Sequence, residues 1–137
     1  MKGKTCGFEE IPHTADWALH VWAADFPDLL NISAQGMYAL CGASWSECNL
    51  ERCRIWLPVA DREETLVRFL AELLYLLEIQ CVGLSNFEFL PSPDGWTVLG
   101  DAGKLSELRK EIKAVTYHQL EIIETSRGLE ATIVLDV

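Results

Sequence analysis

Basic residues are scarce in this chain: 11 lysines and arginines stand against 21 aspartates and glutamates, a formal net charge of −10. Such a surface repels phosphate backbones, so direct nucleic-acid binding through a basic face is not expected, and cations or basic protein surfaces are the better-matched partners. Long apolar runs are missing too. Charges interrupt the apolar stretches well before the roughly 20 residues a membrane span needs. No apolar run follows the two lysines of Met1 to Gly7, so neither a membrane segment nor a signal peptide is expected, and the expectation is a cytoplasmic protein. Only three histidines occur, and the five cysteines (Cys6, Cys41, Cys48, Cys53, Cys81) form no C-x-x-C pair. That spacing argues against a disulfide framework or a Cys/His zinc site and predicts small buried hydrophobes in a reducing compartment. There is no glycine-rich P-loop, and no serine or cysteine stands in a nucleophile motif, which argues against NTP hydrolysis by the chain alone. Repeats, low-complexity tracts and linkers are absent as well.

What is present is a chain of 137 residues, half of them hydrophobic, enough for a core within one domain spanning 1–137. Phe8 to Ile11 predicts a short strand ended by Pro12, and Trp17 to Ala23 alternates as a second. Asp25 caps the segment that follows, Pro27 is tolerated in its first turn, and Phe26, Leu30, Ser33, Met37, Leu40 and Cys41 share one helical face. Cys48 to Leu57 predicts a strand closed by Pro58. Asp61 and Glu64 have capping-box spacing before a broad stripe of Leu66, Phe69, Leu70, Leu73, Leu74 and Leu77, which predicts a second helix lying on a sheet. Asn86 to Leu90 and Trp96 to Gly100 flank a hairpin signal, and Ile112 to Tyr117, Leu120 to Glu124 and Leu129 to Val137 complete the β content. The expected fold class is α+β: a two-layer sandwich of mostly antiparallel sheet with two α-helices on one face.

Three places carry candidate chemistry. In the turn His13-Thr14-Ala15-Asp16, Asp16 either satisfies turn backbone or supplies a carboxylate ligand, and His13 either packs or orients that ligand. Lys113 is either a solvated strand lysine or a cation that engages a phosphate or a carboxylate. His118, at the end of the same strand, reads equally as a turn residue. The last strand closes on Leu135-Asp136-Val137. Held in a sheet, Asp136 and the Val137 carboxylate are two anionic oxygen donors, the start of a hard-cation site.

Taken together, His13-Thr14-Ala15-Asp16, the string Lys113-Ala114-Val115-Thr116-Tyr117-His118 and the closing Leu135-Asp136-Val137 resemble the archease family. The likeness extends across most of the chain, including the junction after Trp22 and the segment Ala71-Glu72-Leu73-Leu74-Tyr75. The resemblance implies an accessory protein, without covalent chemistry of its own, for the RtcB-type RNA ligase of tRNA splicing and RNA repair. That ligase joins a 2′,3′-cyclic phosphate or 3′-phosphate end to a 5′-hydroxyl, and the accessory protein promotes its guanylylation and multiple turnover. It further implies a bound divalent cation, calcium or magnesium or manganese, with Asp16, Asp136 and Val137 as ligands and Lys113 as the functional lysine. His13, Asp101 and His118 are candidate supporting residues around that site. Pro12 stands where the family usually has an acidic residue, which removes one possible ligand. The stretch from Gly100 to Glu111 reads as a shortened form of a variable family loop, with Asp101 at the place of a family glutamate.

Two other classes fit some of these features. A metal-dependent phosphoester hydrolase would use Asp16 and Asp136 with Lys113 as charge stabiliser, against an acidic surface and without a clear general base. A chaperone-like module would need an exposed aromatic surface from Trp45, Trp56 or Trp96, for which core packing is the expected role.

Overall fold

The computed structural model describes residues 6–11 and 16–137. His13 and Pro12 therefore lie outside the described residues. Local signals set the two helices. Asp25 accepts a hydrogen bond from the Asp28 N–H at 2.9 Å and starts α1, Phe26–Cys41, which ends on Gly42 in the left-handed conformation with φ 64°. Asp61 accepts from the Glu64 N–H at 2.8 Å and starts α2, Arg62–Ile79. Only half of the expected capping box forms, because the Glu64 carboxylate turns instead to Arg68 Nε, 2.8 Å away.

The strands are β1 Gly7–Ile11, β2 Trp17–Ala23, β3 Ser44–Trp45, β4 Glu51–Pro58, β5 Val82–Ser92, β6 Gly95–Glu107, β7 Ala114–Thr116, β8 Ile123–Thr125 and β9 Gly128–Asp136. All pairings are antiparallel, so the expected α+β class holds, but the strands divide into two sheets. The first has the order β1-β2-β9-β7, with β8 also on β9; the second joins β3, β4 and β5 to the long β6. The helix α1 packs on β1, β2 and β9, and α2 on β4, β5 and β7.

Alternation decides which face is buried. In β9, Leu129, Ala131, Ile133 and Leu135 face the core with Leu19 and Val21 of β2. The helix stripe predicted for α2 is the buried face: Leu66, Phe69, Leu70, Leu73, Leu74 and Leu77 are all in the core. Ser33, the one hydroxyl in the predicted stripe of α1, is fully buried and donates to the Leu29 carbonyl at 2.7 Å, which removes the penalty of burying it.

Several expectations need correction. The segment after Gly100 is not a loop, because β6 continues to Glu107 with β5 on one side and β4 then β3 on the other. Asp101, Gly103 and Lys104 have weak strand propensity, and pairing on both edges overrides it. Of the cysteines, only Cys41 is buried; Cys6 and Cys53 are half-buried, and Cys48 and Cys81 are exposed. Trp45 and Trp96 pack against the core as expected, but Trp56 is 49% exposed on the outer face of β4. No helix among the described residues is long and apolar enough to cross a membrane.

Candidate metal centre at one end of the first sheet

The strand β9 lies between β2 and β7, and this order brings three distant parts of the chain together. Trp17 pairs with Leu135, so Asp16 and Asp136 are the residues just beyond that pair. On the other edge Ala114 pairs with Asp136, and the Lys113 N–H donates to the Asp136 carbonyl at 2.7 Å. Asp16 and Lys113 thus stand on either side of Asp136 at one end of the sheet, although 97 to 120 positions separate Asp16 from the other two. Asp16 is half-buried, Asp136 and Lys113 are exposed, and Val137 is half-buried against the core.

A second cation belongs to the same end. Lys110 Nζ sits 4.7 Å from the centre of the Trp17 ring, a cation–π distance. The N–H groups of Arg109 and Lys110 both donate to the Cys41 carbonyl at 3.0 Å, at the C-terminus of α1. Carbonyls left over at a helix C-terminus favour positive charge beside them. The segment from Arg109 to Lys113 is therefore anchored on both α1 and β9. Neither Trp17 nor Lys110 stands out in the sequence as a site residue; the only signal is the three-residue spacing of Lys110 and Lys113.

Two expected supporting residues are not brought to this end. Asp101 lies in the second sheet, where its carboxylate is 3.0 Å from Arg52 Nη1 and 3.0 Å from Asn86 Nδ2. These hydrogen bonds, that from Asn86 foremost, hold it below the usual aspartate range. His118 is exposed in the turn after β7, and its N–H donates to Thr116 Oγ1 at 3.2 Å. It stands five residues from Lys113, beyond the far end of a strand that leads away from the site.

The donor set at this end consists of carboxylate and backbone oxygens, the chemistry of hard cations such as calcium, magnesium and manganese. Among the described residues, no three His, Cys, Asp or Glu side chains are grouped as a metal site. Asp16 and Asp136 are the two carboxylates that the strand pairing brings to this end, and so the ones available to hold such a cation. Two hollows, of about 900 and about 350 Å³, lie elsewhere: one beside Trp22 and Arg127 at the opposite end of the first sheet, the other between α1 and β5.

Residues 8–137 match the family described as Archease protein family (MTH1598/TM1083). A protein archease of Saccharolobus islandicus is 30% identical over 136 residues, with 95% of this chain and 98% of that protein covered. One from Methanosarcina barkeri is 30% identical over 139 residues, covering 95% of each. Among solved structures, an archease of Thermotoga maritima, described as a possible chaperone, superposes with a TM-score of 0.72 at 19% identity, covering 94% of this chain and 96% of that one. The solution structure of Methanobacterium thermoautotrophicum protein 1598 gives a TM-score of 0.68 at 25% identity, covering 96% and 99%. The chain belongs to the archease family.

Proposed function

We propose that this protein is a cation-dependent activator of the RNA ligase that joins 2′,3′-cyclic-phosphate or 3′-phosphate ends to 5′-hydroxyls in tRNA splicing and RNA repair. Its family supports an accessory role rather than an enzymatic one. The observation that carries the site is the pairing of β9 with both β2 and β7, which leaves Asp16 and Lys113 on either side of Asp136.

In this reading Asp16 and Asp136 hold the divalent cation, with an oxygen of Val137 beside them. When bound, the cation supplies charge neutralisation for a nucleotide phosphate in the partner's site. The chain's own residues position that end. Stacking of Lys110 on Trp17 and the two hydrogen bonds to Cys41 fix the Arg109–Lys113 segment. Lys113, exposed and on a fixed backbone, is free to donate to a phosphate oxygen or to a carboxylate of the ligase.

The test is ligase guanylylation and turnover in the presence of wild-type, Asp16→Ala, Asp136→Ala or Lys113→Ala protein. Stimulation is expected from the wild type, with loss of most of it in each variant. Full stimulation by both aspartate variants would remove the metal reading. A chaperone-like role is the second reading, and exposed Trp56, Leu90 and Val59 are the observation in its favour. Suppression of client aggregation that persists in EDTA and falls in Trp56→Ser would support it over ligase activation.

A further inference from the structure

A slot of about 350 Å³ separates α1 from the edge of β5, within the ~300–1,000 Å³ range of small-molecule sites. Its walls are the aromatic rings of Tyr38, Trp45 and Phe87, with Leu84 beside them. Tyr38, almost fully buried, packs directly behind Trp45, 4.6 Å between ring centres. The Trp45 ring lies across Gly83 and Gly103, where an added Cβ would come within 2.2 Å and 2.7 Å of it. Only glycine at those two strand positions leaves room for the indole in this place.

The rim is polar. Asn31 and Gln35, one helical turn apart on α1, face Ser85 and Asn86 across the opening. Within the described residues, the side chains of Asn31, Gln35 and Ser85 make no hydrogen bond, although Asn86 donates to Asp101. The backbone of β5 is irregular at this point: its register shifts between Ser85 and Glu88, and Asn86 has φ 55°. The Leu84 N–H donates to Tyr38 Oη at 3.1 Å, which turns this edge of β5 toward α1. Bulges of this kind re-aim side chains beside binding sites.

No lysine, arginine, aspartate or glutamate lines the slot. Its occupant is therefore uncharged in the part that enters. Aromatic walls suit a flat ring, and two carboxamides present paired donors and acceptors of the kind that recognise base edges. We propose that the slot between α1 and β5 binds a nucleobase, with Asn31 and Gln35 reading its edge and Trp45 and Phe87 against its ring. A phosphate or sugar attached to that base stays outside, since nothing in the lining neutralises charge. The site shares no residue with the Asp16–Asp136 end and does not depend on the function proposed for that end.

The experiment is ¹H–¹⁵N NMR of the full chain with adenosine, guanosine or uridine added, and separately with ribose and a short single-stranded RNA. Shifts are expected at the Trp45 indole N–H and at the Asn31 and Gln35 amides with at least one nucleoside. Ribose should leave these signals in place. A shift with RNA as well as nucleoside assigns the base of a strand as ligand; a shift with nucleoside only assigns the free compound. In the Asn31→Leu/Gln35→Leu variant, where neither exchanged residue is buried in the core, the dissociation constant should rise at least about tenfold. No shift with any nucleoside or RNA, an equal response to ribose, or unchanged affinity in a folded double variant would overturn the proposal.

Discussion

Gly103 of β6 has no special backbone torsion, yet it leaves no room for a side chain. A Cβ there would stand 2.1 Å from the Ser46 carbonyl oxygen and 2.7 Å from Trp45 Cδ1. The Ser46 oxygen is backbone, and the neighbouring Ser46 N–H is already held by the Lys104 carbonyl at 2.8 Å. Gly103→Ala is thus expected to cost about 2 kcal/mol, within the ~1–3 kcal/mol range for overpacking, measurable by urea unfolding. On the outer face of the first sheet, His20 bridges Thr132 Oγ1 and Glu130 Oε1, each 2.9 Å from a ring nitrogen, and Thr125 donates to the other Glu130 oxygen. The Thr125 bond, then the His20 bond, hold the Glu130 carboxyl below the usual glutamate range. A carboxyl with a lowered folded pKa contributes stability that is complete above its unfolded pKa and is lost as pH falls through the folded one. Carboxyl ¹³C shifts should therefore show Glu130 titrating below a free glutamate, and Thr125→Val should move its midpoint upward. Neither residue-scale feature was legible in the sequence, because Gly103 meets Ser46 and His20 meets Glu130 only after non-local strands have paired.

The helices were the most legible elements. Asp25 with Pro27, and Asp61 with the leucine stripe, are local signals whose physics needs no partner strand. Removing either cap should cost about 1 kcal/mol. Since the two caps have no shared partners, Asp25→Ala and Asp61→Ala should add within a few tenths of a kcal/mol in thermal unfolding of the single and double variants. Strands were less legible in proportion to how non-local their support is. The hairpin of β5 and β6 announced itself at Pro91 to Gly95, but its arms run from Val82 to Glu107, well beyond the residues of high strand propensity. The two-residue β3 is too short to stand out by propensity, and its Trp45 lies over Gly83 and Gly103. Asp101 was a candidate because it stands at the place of a family glutamate in the resemblance; as part of a continuous strand it is committed to Arg52 and Asn86 instead.

At the scale of the molecule, the first sheet joins an early strand to the last one, and the proposed cation bridges the residues just outside that junction. Asp16, Asp136 and Lys113 were each legible as candidates, in a turn, a last strand and a strand respectively, and their joint resemblance to the archease motifs is what singled them out. Their adjacency was not, because it depends on β9 lying between β2 and β7, a pairing order that no local pattern encodes. The adjacency has a thermodynamic consequence. Without a cation, Asp16 and Asp136 are like charges at one end of a chain whose net charge is already −10, so each repels the other. A cation that binds the folded chain alone stabilises it by about 2.7 kcal/mol at a concentration 100 times its Kd, which is roughly 8 °C in Tm for a domain of this size. Calcium, magnesium and manganese chloride should each be tested by calorimetry on the EDTA-treated protein, with sodium chloride at equal ionic strength as control. At least one should raise Tm by several degrees where sodium does not. Asp16→Asn should lose that rise while its metal-free Tm equals or exceeds that of the wild type, because the substitution removes the repulsion along with the ligand. A metal-free Asp16→Asn that melts well below the wild type would instead assign Asp16 to the turn backbone, and an undiminished rise in both Asp16→Asn and Asp136→Asn would place the cation elsewhere.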